Sequence, residues 1–438
     1  MQRQKTIAKW LVIILLCTVA VGAYIMYDAL YVGEGGGASA DVGTEQPDPS
    51  PSEPETPDPD PPFYTELPRP TQTYAGIEVA HAGGEGNETV LGAVFTADRE
   101  YVFFSSESEE YDCRGSGVYV AVYSEGALIA VTRFADAGSA FGGAKLTANG
   151  VAAAVSGEES GTLFLFDKSG GVKGEASVPL FESAFLLLAD GDLTVFYSDG
   201  VRLGVCTVGE GLSVDVSPFR LGGAYTVREG FAAGGSFVLA ADNGQDVAVI
   251  TYTHASGFIN TKTYSQTSFK QIVPVAGEDG AAFCLLGGRS DGVLLSVIGA
   301  DGTEESAAVL EGSADAALFG DGTSLTLVRT GLTETYCRHL DLISSVTTAF
   351  TVGDVLAVRE SGGKRVILSR SEDGRATAWL SEDGGGFLSV AECDGGEGNA
   401  AAEFYGGSLA LVLSSRSRDG IFFENFGGAD AYFVRIPL

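Results

Sequence analysis

Residues 365–390 carry the same turn twice. Ser371-Glu372-Asp373-Gly374 and Ser381-Glu382-Asp383-Gly384 stand ten residues apart, and between them Ala376, Ala378 and Leu380 alternate with Thr377 and Trp379. A period of two is that of a strand with two faces, and Asp-Gly accepts the backbone angles of a tight reversal. The stretch reads as strand, turn, strand, turn, strand, an antiparallel meander. From about residue 73 to the C-terminus, Asp-Gly pairs (at Asp190, Asp199, Asp279, Asp291, Asp301, Asp321, Asp373, Asp383, Asp394 and Asp419) and Asn-Gly pairs (at Asn149 and Asn243) punctuate short apolar runs in the same way. Gly makes up 61 of 438 residues, about twice the usual share of about 7%. The alternating runs assign that excess to dense turns, not to a collagen-like or disordered chain.

Grouped four strands to a unit, first strands are expected to begin near Glu88, Ala140, Glu182, Gly223, Lys270, Ala314, Gly353 and Asn399. Their mean spacing is about 44 residues, within the roughly 40–50 of propeller blades. Gly-Gly-Glu-Gly-Asn occurs at Gly83–Asn87 and again at Gly395–Asn399, each time before a first strand, as a shared blade-to-blade connection would. The last unit supplies three strands, and a spare strand, Tyr74 to Ala80, precedes the first. Pairing that strand with the last unit would complete its blade and remove two exposed sheet edges. The expected fold is therefore all-β: a single propeller of eight four-stranded blades closed by an N-terminal strand. Seven blades is the alternative, because units three and six are short, and a β-solenoid or two β-sandwiches rank behind both.

The chain resembles β-propellers as an architecture over residues 73–438. Gly-Gly pairs at Gly142, Gly222, Gly234, Gly287, Gly406 and Gly427 resemble those of kelch repeats, without the later Tyr and Trp of that pattern. Ser381-Glu382-Asp383-Gly384-Gly385 resembles the start of a sialidase Asp-box, a turn device. With Trp10 and Trp379 as its only tryptophans, the chain matches no specific family motif.

Ahead of the propeller, Arg3, Lys5 and Lys9 precede eighteen uncharged residues, Trp10 to Tyr27. That run exceeds a signal-peptide core and approaches the roughly 20 residues of a spanning helix. Its basic flank places residues 1–9 in the cytoplasm and the rest outside, with 10–27 as an uncleaved transmembrane signal-anchor. Cleavage after Val21-Gly22-Ala23 or Ala38-Ser39-Ala40 is the alternative. Residues 28–72 form an acidic, Pro-rich, disordered linker, holding ten of the fourteen prolines between Pro47 and Pro70, and Arg69 is its one basic residue. Such a segment is an extended spacer. The expectation is a single-pass cell-membrane protein with an extracytoplasmic propeller at 73–438.

Residues 1–27 carry three basic and no acidic groups, which leaves 23 basic against 58 acidic on the rest. That surface repels phosphate backbones and excludes nucleic acid as a partner. Cys113, Cys206, Cys284, Cys337 and Cys393 are too far apart for a metal site and odd in number for a disulfide framework. They read as small buried side chains. His81, His254 and His339 have no metal-type neighbours in sequence, and Cys337 and His339 are expected on one face of a strand. No cofactor, metal or catalytic residue is expected, and the chain reads as more of a binder than an enzyme.

Two connections between second and third strands are long, Ser105 to Gly117 in the first blade and Ser414 to Asp430 in the eighth. Ring closure makes those blades neighbours. The candidate binding residues are therefore Glu107, Glu109, Glu110, Tyr111 and Asp112 on one loop, with Arg416, Arg418, Phe422, Phe423 and Phe426 on the other. Long loops on a rigid scaffold concentrate binding residues, and aromatics beside Arg resemble interface anchors. The alternative is that the phenylalanines turn inward and plug the seam. The functional expectation is a membrane-tethered binding or scaffolding module at the cell envelope with a protein or glycan partner. A cell-envelope hydrolase or lyase acting on carbohydrate polymers is the other reading.

Overall fold

The computed structural model describes residues 64–189, 191–275, 281–382, 386–394, 398–405, 407–417 and 426–438. They contain strands and turns and no helix, arranged as eight antiparallel sheets in sequence order. The innermost strands are Thr89–Phe95, Ala140–Thr147, Ser183–Ala189, Thr226–Ala233, Ser268–Val275, Ala316–Gly320, Asp354–Ser361 and Ala401–Tyr405. Each lies within three residues of its expected start, and the protein is an eight-bladed β-propeller.

Both faces of every blade are covered by neighbouring blades, so the middle strands are apolar throughout and not alternating. Gly117–Ser124, Gly292–Gly299 and Ser408–Ser415 are buried along their whole length. Outer strands diverge from their neighbours and regain the period of two, as in Glu304–Glu311. Phe103, Phe141 and Phe166 fill the space between blades 1 and 2, and Val366, Ala378, Leu411 and Val434 that between blades 7 and 8. Near the axis the blades approach closely. A Cβ on Gly142 would lie 2.7 Å from that of Ala184.

The Asp-Gly turns divide their work. In Ser371–Gly374, Gly374 alone takes the left-handed conformation, with φ of 88°. Asp373 instead accepts through Oδ1 from the amide of Arg375 at 3.2 Å. Asp199 and Asp301 do the same in their turns, and these bonds hold both carboxyls below the usual range. Gly374→Ala should therefore cost about 1 kcal/mol or more, read as a lower urea midpoint at unchanged slope.

The N-terminal strand closes the ring. Ile77–Ala82 is the fourth strand of blade 8, antiparallel to Asp430–Pro437. The strand expected from Tyr74 is broken by a two-residue turn at Ala75 and Gly76, φ 50° and 85°, so Gln72–Tyr74 folds back as a fifth strand. Two consecutive positive φ angles are what a tight hairpin turn demands. Residues 64–72, which composition groups with the linker, continue onto the next blade, where Arg69–Pro70 pairs with the outer strand Ala127–Asp136. The segment from 64 to 82 thus straps blade 8 to blade 1.

Candidate functional site

The connection 107–116 of blade 1 and the described ends of the connection in blade 8, residues 416–417 and 426–429, lie on the same face of neighbouring blades, beside this strap. Tyr111 stacks on Phe426, ring centres 4.4 Å apart and 13° from parallel. Phe426 lies against His81 at 4.7 Å, and His81 on Tyr432 at 5.4 Å. The Arg69 guanidinium covers the Phe426 ring at 5.3 Å. Tyr111 is held at φ 57°, a left-handed angle that a bulky residue adopts only under constraint.

Arg69 is the strap's anchor. Its Nη1 and Nη2 donate to the two carboxylate oxygens of Asp112 at 3.0 and 2.8 Å, and Nη2 also donates to the His81 carbonyl at 2.6 Å. Thr65 Oγ1 and the Gly83 amide donate to the same carboxylate. The Thr65 amide donates to the Tyr111 carbonyl and the Asp112 amide to that of Gly83. A two-pronged Arg–carboxylate bond fixes orientation as well as distance. Blade 8 reaches blade 1 a second time through Ser414 Oγ, which accepts from the Val90 amide at 2.8 Å.

Beneath the stack lies a buried acidic pair. His81 Nδ1 is 2.5 Å from Asp430 Oδ2, which also accepts from the Phe426 amide. Glu88 Oε1 accepts from Ser106 Oγ at 2.7 Å. Glu88 Oε2 and Asp430 Oδ1 both lie against Gly83, and the two carboxyl groups interact with one another there. Burial pushes the Glu88 carboxyl up to about 8, with the nearby Asp430 adding to the shift, and burial raises Asp430 as well. Burial therefore favours the protonated form of Glu88. Burial likewise pushes the adjacent Cys113 thiol up to about 12, which disfavours the thiolate.

Of the residues singled out from sequence, Tyr111, Asp112 and Phe426 come together in the seam. Glu107, Glu109 and Arg416 are exposed around it, and Glu110 is half-buried. Arg418, Phe422 and Phe423 lie outside the described residues. Arg69, His81, Glu88 and Asp430 complete the cluster. Only Arg69 left a trace in the sequence, as the single basic residue of the acidic linker.

Elsewhere, Cys337–His339 forms a turn, with the Leu340 amide bonded to the Cys337 carbonyl, because the strand ends at Tyr336. The expected one-faced Cys–His pair is not formed. Cys113, Cys206, Cys284 and Cys393 are buried and free. Among the described residues no cluster of His, Cys, Asp and Glu could hold a metal ion. None of them forms a helix long and apolar enough to cross a membrane, and the anchor expected at 10–27 lies outside them.

No family model matches the sequence, and no curated protein does. Among solved structures, the chain is similar to the computationally designed Ika8 protein, at 13% identity over 80% of this chain and 98% of that one, with a TM-score of 0.52. It is also similar to the Dos1 propeller, at 10% identity over 84% and 95%, with a TM-score of 0.54. At such identities the likeness is one of fold alone, that of a propeller.

Proposed function

We propose that the protein is a binding or scaffolding module tethered to the membrane by residues 10–27 and held outside the cell on an acidic stalk. Its docking surface is the face of the blade 1 and blade 8 seam. One observation carries this reading: Tyr111 and Asp112 of the long blade 1 connection and Phe426 of blade 8 are brought together on one face and held there by Arg69 of the strap. A surface ordered before binding loses little entropy on docking. Its rim, with Glu107 and Glu109 on one side and Arg114 and Arg416 beside them, offers charges of both signs around an aromatic centre. The uncharged run with its basic flank supports the tether, and the Pro-rich segment supports the stalk.

The reading is tested with the full chain in detergent, captured from the membranes of the cell that makes it. Reversing charge at the exposed rim, Glu107→Arg with Glu109→Arg, should reduce recovery of a specific protein partner about tenfold while leaving the unfolding midpoint unchanged. Undiminished recovery would remove the seam from consideration.

A further inference from the structure

The interface between blades 6 and 7 is built differently from its neighbour. Blades 5 and 6 meet through aliphatic side chains, Leu286, Leu295 and Val297 against Leu318, Leu325 and Leu327. Strand alternation sends Thr326, Thr333 and Thr335 to the other face of blade 6, toward blade 7. Register then aligns their hydroxyls. Thr326 stands opposite Thr335, and Thr335 opposite Ser344, which makes a row across three strands. Across the gap stands Trp379, half-buried, with Phe350 edge-on at 4.7 Å and Phe387 stacked on Phe350 at 5.0 Å.

Between the hydroxyl row and the aromatic wall is a cavity of about 680 Å³, inside the range of about 300–1,000 Å³ typical of small-ligand sites. Its two charged lining groups are already engaged. Asp321 accepts from the amides of Thr323 and Ser324, and Arg365 is bonded to Glu360 at 3.0 Å and covers the Phe319 ring. Two hydroxyls of the lining, Thr333 Oγ1 and Thr348 Oγ1, are buried without any hydrogen-bond partner.

We propose that this cavity binds a neutral carbohydrate residue. Its apolar ring face would lie on Trp379, and its hydroxyls would pair with Thr335 and Ser344. A hydroxyl both donates and accepts, so a row of Thr and Ser matches the edge of a sugar ring without the need for a charge. The net charge of −32 disfavours uronic acids and phosphosugars. The site does not involve the seam, so either reading can fail without the other.

Trp10 and Trp379 are the only tryptophans, so the full chain carrying Trp10→Phe reports on Trp379 alone. Titration with cello-, malto-, manno- and chito-oligosaccharides to about 10 mM should give a saturable change in its emission with at least one series. Thr335→Val, equal in volume but without the hydroxyl, should keep the free-protein spectrum and weaken that binding about tenfold. No saturable change with any series, or equal binding by the Thr335→Val protein, would overturn the proposal. So would a response only to apolar peptides, which would assign the gap to the exposed edge strand Leu342–Thr347.

Discussion

Asp112→Ala should destabilise the propeller by about 1–3 kcal/mol, because it removes a fully buried carboxylate that accepts both prongs of Arg69, while the guanidinium left behind is partly exposed and keeps its bond to the His81 carbonyl. The same carboxylate also satisfies Thr65 and the Gly83 amide, so its loss releases the strap at Arg69 and Thr65 and leaves the Gly83 amide without that acceptor. Replacing both partners with apolar residues, Arg69→Met with Asp112→Leu, should recover more than half of that loss. Urea unfolding of the parent, the single variant and the double variant measures both effects. A loss below about 1 kcal/mol for Asp112→Ala would mean that the strap is held by its strand pairing alone.

Glu88→Gln should remove a pH dependence of the parent protein. At pH values below the ordinary carboxyl range, Glu88 is protonated in folded and unfolded chains alike. Above that range the unfolded chain ionises, while the folded one keeps its proton up to about 8. The unfolded state then binds fewer protons, so stability falls as pH rises, by up to about 1.4 kcal/mol per pH unit, and levels off once the folded group ionises. Between pH 5 and 8 the parent should lose about 2–4 kcal/mol more than Glu88→Gln does. The difference between the two profiles reports Glu88 together with its coupling to Asp430, whose raised carboxyl acts in the same direction. Parallel profiles would show that Glu88 ionises normally.

The blades were legible because each is written locally. Turn pairs, a period of two in the outer strands and continuous apolar runs in the middle ones lie within a few residues of one another. Closure was legible too, since a three-stranded last unit and a spare first strand leave two edges to be joined. The broken strand at Ala75–Gly76 was not, because its signal is one glycine among many. The seam was legible only as two long loops. His81 and Asp430 stand 349 positions apart, and Glu88 precedes an ordinary strand, so nothing local marks any of them as a partner of the others. The hydroxyl row of blade 6 lies between these cases: its threonines alternate visibly, but their alignment with Ser344 depends on a register that the sequence does not state.

The most direct test of the docking surface is a photoreactive residue placed at Glu109 in the full chain, with a control at Ser256. Ser256 is exposed and lies between the third and fourth strands of blade 4, on the opposite face of the ring. Irradiation in the cell that makes the protein should join one specific protein to position 109 and none to position 256. Equal labelling at both positions, or labelling at 256 alone, would contradict a docking surface at the seam.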